Sequence, residues 1–588
     1  MNEAPSSKLQ FQVLRREFLF RIADMETLSA HALGDANKLL GQFAALLILI
    51  SVVFSLGAFS ASDPSMPVAA RLTLALYMEH FLIATTMLVA GIFAVLTWDS
   101  TFPDRRDVLV LAALPVRAWT VFLAKAAAAA TALSLVVLLL HGAAGLTWPF
   151  AFATRDSGLF GFVRSFAAYW VTMAAAAAFV YCGVLAIQGL AGQVLPRRFF
   201  LGASGFLQMA AFCLLVCVYF LEPPVEGPDM HTLIAPEKLH LLLWLPSYWF
   251  LGLFHQLNGS TYPALIPLAR RAWIGLALNG LGAFAAYAFS YTRTMRQIAE
   301  EPDITSGARG INWLPRFGSP VQTAIGQFCM RTLARSRQHR LILAFYLGIG
   351  LAFTVFLLQF LAAMSQVPGG RASDVWRQPN TPLLAATIVM MALAIVGLRV
   401  TFAFPLELQA NWIFRAAGVR RGPEIFAAIR RVMLLLCVSP VWLVSAAVCF
   451  RLWPWLQAAA HLAFLGLFAI ILVDVALWGF RKIPYTCSYL PGKSQVHMVL
   501  LWALGLLWLL AQSVVYERQA LRKPGLIATA LALLVVAAIA VRWRVRALAK
   551  FDEMDLQFEE EPAPAVLELG LFRDGAVIGT SPSDPPAT

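Results

Sequence analysis

Long apolar runs separated by short polar segments dominate this chain. From Phe43 to Phe59 the only polar side chains are Ser51 and Ser55. A helix that crosses a membrane needs about 20 mainly apolar residues, because backbone N–H and C=O groups cannot go unpaired in hydrocarbon. Twelve stretches meet that requirement. Six lie at roughly 39–60, 75–97, 122–147, 166–190, 199–221 and 271–292, and six at roughly 341–363, 381–402, 431–452, 455–478, 496–516 and 525–546. The pattern predicts an all-α polytopic membrane protein with about twelve transmembrane helices.

The segments between and beyond these runs differ in kind. Residues 1–38 are polar and amphipathic, with Leu9, Phe11, Leu14, Phe18 and Leu19 on one face. This predicts a helix on the inner membrane surface rather than a cleaved signal, whose apolar region would come earlier. Residues 222–270 form one long outer loop. It contains the aromatic run Leu241–Phe254, broken by Pro246, which predicts a re-entrant or interfacial hairpin. A further full crossing there would invert the charge pattern of everything that follows. Residues 293–340 read as a cytoplasmic linker and connecting helix. Residues 547–588 read as a tail, acidic and then Pro-rich, expected to be disordered.

Composition agrees with the pattern. The 588 residues are 60% hydrophobic and 13% charged, with a mean hydropathy of +0.72. That is about half the charge of a soluble domain. The net charge of +13 is not the mark of a nucleic-acid binder, because Lys and Arg sit in short loops between apolar runs. With both termini inside, 33 of the 45 basic residues fall on the inner side, as the positive-inside rule requires. The seven cysteines (182, 213, 217, 329, 437, 449 and 487) form no CxxC pair and no Cys/His cluster. A structural metal or a disulfide framework is therefore not expected.

The chain reads as two tandem halves in the same orientation, residues 39–292 and 341–546. Each begins with a basic amphipathic segment, followed by two spans, a charged inner loop containing proline, and four more spans. Glu407 in the second such loop lies 303 residues after Asp104 in the first. Both halves thus match the plan of a parallel repeat.

Chemistry-bearing motifs are sparse. Cys487–Ser494 matches half of a phosphate loop, but Cys487 stands where Gly is needed and the segment joins two spans. It reads as a Pro-Gly turn. No HExxH occurs, and no catalytic role is assigned to any residue. Ionisable residues inside spans are the default functional candidates. They are Glu79 and His80, near an outer end and read as interfacially solvated with a substrate contact as the alternative, and Asp474, expected to pair with Arg481 or Lys482 rather than to relay protons. His141 and His461 read as structural. The scarcity of charge at mid-span speaks against proton coupling.

Three inner loops are informative. The first runs Thr101-Phe-Pro-Asp104-Arg105-Arg106-Asp107, then the short apolar stretch 108–114, then Pro115 and Arg117. A short helix flanked by charge suits docking into a partner's groove or resting on the membrane surface, and the residues do not separate the two. The second runs Phe404-Pro-Leu-Glu407-Leu-Gln-Ala-Asn411-Trp412-Ile-Phe414-Arg415. Trp and Arg there suit a protein interface or a membrane interface equally. The third is Lys482–Lys493.

At these loops the chain resembles the permease subunits of bacterial ABC-2 type (type V exporter) ABC transporters. The first loop, with Leu114-Pro-Val and Phe122-Leu-Ala-Lys125 after it, is similar to the family's segment between its second and third spans. The amphipathic start and the outer hairpin resemble the family's connecting helix and extracellular re-entrant helices. The resemblance covers most of residues 1–550 and departs from the usual six-span permease in fusing two halves. It implies a coupling helix in the first loop. It also implies separate cytoplasmic ATPase subunits in two copies, no cofactor of its own, and a place in the bacterial inner membrane. Asp104, Arg105, Arg106, Asp107, Pro115 and Arg117 are then expected to meet one ATPase. Glu407, Asn411, Trp412 and Arg415 are expected to meet the other or to brace the bundle. A secondary transporter and a membrane-embedded transferase acting on a lipid-linked substrate are the alternative readings.

Overall fold

In a computed structural model the described parts of the chain are almost entirely helical, with no strand among them. These are residues 7–23, 36–61, 67–98, 111, 114–152, 158–194, 197–222, 242–260, 263–300, 314–316, 318–365, 376–405, 412–416, 423–478, 480, 482–486 and 496–551. The first half comprises α1 (Ser7–Ala23), α2 (Ala36–Ala61), α3 (Val68–Leu96), α4 (Ala118–His141), α5 (Ala144–Phe152), α6 (Gly158–Val194), α7 (Arg197–Leu221), α8 (Pro246–Leu257) and α9 (Ile266–Glu300). The second comprises α10 (Pro320–Arg335), α11 (Arg337–Ser365), α12 (Thr381–Thr401), α13 (Trp412–Ala416), α14 (Pro423–Met433), α15 (Ser439–Leu452), α16 (Trp455–Ala476), α17 (Val496–Arg522) and α18 (Pro524–Phe551). Among the described residues ten helices are long and apolar enough to cross a membrane. The chain is an all-α polytopic membrane protein.

The departures from regular spans have local causes. The expected span at 122–147 is α4, which stops at His141 and resumes as α5, where Pro149 sits inside the helix. The expected span at 431–452 continues from α14 into α15 through a π-helical segment, Leu434–Val438, just before Pro440. Proline lacks the N–H that an α-helix would use, and one wide turn absorbs the mismatch.

Packing gathers into three apolar cores. One fills the second half around Leu384, Met391, Ile395, Val432, Leu465 and Val473. The first half has one core where α8 packs on α3, α6 and α9, and another where α1 packs on α4. The end of the bundle carrying α1, α10 and the roots of both charged loops is called here the basic end, and the opposite one the far end. The halves meet along α7 and α11. There Phe212 and Phe345 lie 5.6 Å apart, Phe220 and Phe356 6.3 Å apart, and Arg340 covers the Phe206 ring at 4.7 Å. Gly348 faces the Phe212 ring so closely that any Cβ there would overlap it. Gly348→Leu is expected to push the halves apart at a cost of about 1–3 kcal/mol, read as a lower unfolding midpoint of the detergent-solubilised chain.

Candidate functional site

Two regions carry the polar chemistry of this bundle: the loop roots at the basic end, and buried acid–base contacts inside and at the far end.

Each half anchors an amphipathic helix against its third span. The α1 helix buries Phe18 and Ile22, with Lys125 of α4 over the Phe18 ring at 5.2 Å. It is docked on protein along the face expected to rest on the membrane. Gln10 of α1 donates to the Pro115 carbonyl at 3.5 Å. In the second half α10 packs on α14, where Gln322 accepts from Arg431 at 2.8 Å and Ser319 donates to Glu424 at 3.1 Å.

The roots of the two charged loops are also pinned. At the end of α3, Gln208 donates to the Val95 carbonyl at 2.5 Å, Gln188 to the Trp98 carbonyl at 2.7 Å, and the Trp98 indole to Ser204 at 3.1 Å. At the end of α12, His339 Nε2 meets the Phe404 carbonyl at 3.0 Å, and the Tyr485 N–H donates to the Phe402 carbonyl at 3.1 Å. Tyr485 comes from the third loop and is buried at φ +66°, among Phe328, Phe402 and His339. The described part of the third loop is therefore packed beneath the second. Beside it α10 lines an open cavity of about 640 Å³ with Gln327, Phe328, Arg331 and Arg335.

Of the residues expected to contact a partner, Asp104, Arg105, Arg106, Asp107, Glu407 and Asn411 lie outside the described residues. Trp412 on α13 is 65% exposed, while its neighbour Phe414 packs on Phe328 at 5.4 Å. Pro115 and the exposed Arg117 lead into α4. Arg415 lies on α13, and its side chain is outside the described residues.

The intramembrane candidates Glu79, His80 and Asp474 all lie among the described residues, and two expectations about them need correction. Asp474 does not pair with Lys482, and Arg481 lies outside the described residues. Arg430 of α14 donates to it through Nε at 2.6 Å and through Nη2 at 3.4 Å, and Arg542 of α18 stands 3.6 Å away. Helix crossing brings these groups to Asp474, whereas sequence proximity had suggested the loop that follows it. Glu79 and His80 are not solvated at an interface. Both are buried, beneath the short helix α8. Glu79 meets His255 at 2.7 Å. His80 meets Ser247 at 3.1 Å and Glu222 at 3.4 Å, with the Tyr248 ring stacked on its imidazole at 4.2 Å. Adjacent residues of α3 thus hold both ends of α8, Ser247 in its first turn and His255 in its last.

Burial pushes the Glu222 carboxyl up to about 7, against the hydrogen bond from Ser247. Burial pulls His255 down, but the charge and hydrogen bond of Glu79 more than reverse this and hold it above its ordinary value. Among the described residues no three His, Cys, Asp or Glu side chains gather as a metal ion would require. These four side chains form two acid–imidazole pairs.

His141 and His461 both proved to be hydrogen-bonded nodes. His141 links Thr86 and Tyr169, and His461 links Thr387 and Glu517. Sequence reasoning missed Glu222, His255, Arg430 and Glu517. Comparison with protein-family models, with curated proteins and with solved structures finds no match for this chain.

Proposed function

We propose that this chain is the transmembrane permease subunit of an ABC-type exporter, moving its substrate with ATP hydrolysed by separate ATPase subunits. The observation that supports this most is the repeated arrangement at the basic end. Each half docks an amphipathic helix, α1 or α10, on its third span, next to a charged loop whose root is fixed by buried hydrogen bonds. A loop that must carry force into a bundle needs a rigid root, because a soft one would dissipate the displacement. Under this reading the partner's closure acts on residues 104–107 in the first half and on 407–415 in the second. It can bias the helices only by binding one arrangement more tightly than another.

The test is co-purification from the native membrane in mild detergent. A soluble ATPase is expected to accompany the chain. Asp104→Lys with Asp107→Lys is expected to reduce its recovery about tenfold or more, as loss of an interface anchor does, with the unfolding midpoint unchanged. Repeated recovery of the chain alone under ATP-trapping conditions would remove this reading.

A specific observation favours a second reading, secondary transport driven by an ion gradient. Acid–base pairs are buried within the helices: Glu517 with His461, and Asp474 with Arg430. Such groups are the usual relays of ion-coupled carriers. Uptake into vesicles that persists without ATP and collapses with an ionophore would select it.

A further inference from the structure

The two halves contain the same polar element with different closures. In the first, Thr86 Oγ1 donates to the Leu82 carbonyl at 2.6 Å and lies 2.7 Å from His141 Nε2. A threonine has one hydroxyl proton, so its oxygen accepts from Nε2–H. The other ring nitrogen, Nδ1, then accepts from the Tyr169 hydroxyl at 2.8 Å. Every group in that network is neutral. In the second half Thr387 Oγ1 donates to the Leu384 carbonyl at 2.9 Å and lies 3.2 Å from His461 Nε2. The same argument puts a proton on Nε2. Here, however, Nδ1 faces a carboxyl group, Glu517 Oε1, at 2.6 Å. One proton is shared across that contact. His461 is fully buried, Glu517 is 1% exposed, and Glu517 Oε2 has no hydrogen-bond partner among the described residues. Tyrosine keeps its proton throughout the physiological range, whereas a carboxyl group gives it up.

We propose that His461 and Glu517 form a proton-binding site of the second half, closed by one proton and opened by its loss. The proton leaves the Nδ1–Oε1 contact for water, and no other covalent bond changes. The pair passes from zero net charge to −1, with the carboxylate facing the lone pair of Nδ1. Among the described residues of this half no Lys or Arg side chain is fully buried to compensate that charge, and Arg377 before α12 is exposed. The α15 helix presents the Cys449 thiol to His461, and Trp453 packs its ring at 5.5 Å. The ionisable residues of α12 and α18 (Arg399; Arg542, Arg544, Arg546 and Lys550) and those of α14 lie toward the basic end. On α17 itself Arg518 and Arg522 are exposed, as are Lys523 beyond it and Arg451 on α15. A buried, unpaired carboxylate is strongly disfavoured, so deprotonation drives the far ends of α16 and α17 apart to admit water. The inference rests on neither reading of the energy source.

Cys449 supplies the reporter. It is fully buried beside His461, so alkylation requires that this end open. The full chain, reconstituted in lipid bilayers, is treated with N-ethylmaleimide from about pH 6 to about pH 9, a range that brackets the loss of an imidazole-held proton. Peptide mass spectrometry reads each cysteine separately. Cys437, also buried in the second half, corrects for the general rise of thiolate with pH. The Cys449 to Cys437 rate ratio is expected to rise about tenfold or more in the wild type and to stay flat in Glu517→Gln, which carries no charge at any pH. A flat ratio in the wild type, or an equal rise in Glu517→Gln, would overturn the proposal. Should Glu517→Gln not fold, Glu517→Asp serves. Its shorter carboxyl group withdraws from Nδ1 and holds the proton less tightly, so the rise moves to lower pH, and a rise at the wild-type pH would overturn the proposal equally.

Discussion

Asp474→Ala is expected to lower the stability of the second half by about 3 kcal/mol or more, the scale on which removing one member of a buried ion pair acts. The loss is not simply that of an attraction. Asp474 is 2% exposed, and the Arg430 guanidinium facing it is 16% exposed. Without the carboxylate, Arg430 is left partly desolvated with no anion to accept from Nε. Arg542 contributes less, since it stands 3.6 Å away and is 33% exposed, so Arg542→Ala should cost about 1 kcal/mol or less. The measurement is the unfolding midpoint in detergent, followed by intrinsic fluorescence. The decisive comparison is Asp474→Leu combined with Arg430→Met, which replaces both charges by apolar groups of similar volume and should recover most of the loss. If the double variant is as unstable as the single one, the pair is holding α14 to α16 by more than charge neutrality.

How much of this could be read from the sequence follows from which physical rule governs each element. The spans were legible because hydrocarbon imposes a length and a composition on any helix that crosses it, and these are properties of contiguous residues. Pairings between helices are not contiguous. Arg430 sits 44 residues before Asp474, and nothing in the sequence prefers it to a basic residue a few positions away. Glu517 lies one residue past the expected end of its span at 516 and so was not among the ionisable residues placed inside spans. The helix continues to Arg522, and that extra turn places Glu517 in the interior. Glu79 and His80 were judged by their distance from a span end. Their burial is the work of α8, whose apolar face, with Phe250, Leu251 and Leu253, is itself fully packed. The one sequence cue was that Ser247 and His255 bracket the apolar run 248–254.

That arrangement at the far end has a pH dependence whose sign can be worked out. Two groups bind protons more tightly in the folded state than in the unfolded one. For Glu222 the shift is from 4.5 to about 7. Its contribution to holding α8 in place is therefore full below about pH 4.5 and is lost as pH rises to about 7, a change on the order of 3 kcal/mol. For His255 the folded value lies above the ordinary 6.5, so its contribution is full below 6.5 and is lost as pH rises through the folded value. Both act in the same direction. Rising pH loosens α8 from α3 as Glu222 ionises beside Ser247 and as His255 releases the proton it holds against Glu79. Hydrogen exchange of the α8 backbone, corrected for the intrinsic rate, is expected to show protection falling as pH rises from about 4.5 to 7 with Glu222, with a further contribution from His255 as pH rises above its ordinary 6.5. Glu222→Gln should abolish the Glu222 part of this loss and leave that of His255, and His255→Asn should do the reverse. Protection that instead falls on acidification would mean that Glu222 and His255 do not hold α8 in their protonated forms, and the helix would then owe its position to the apolar face alone.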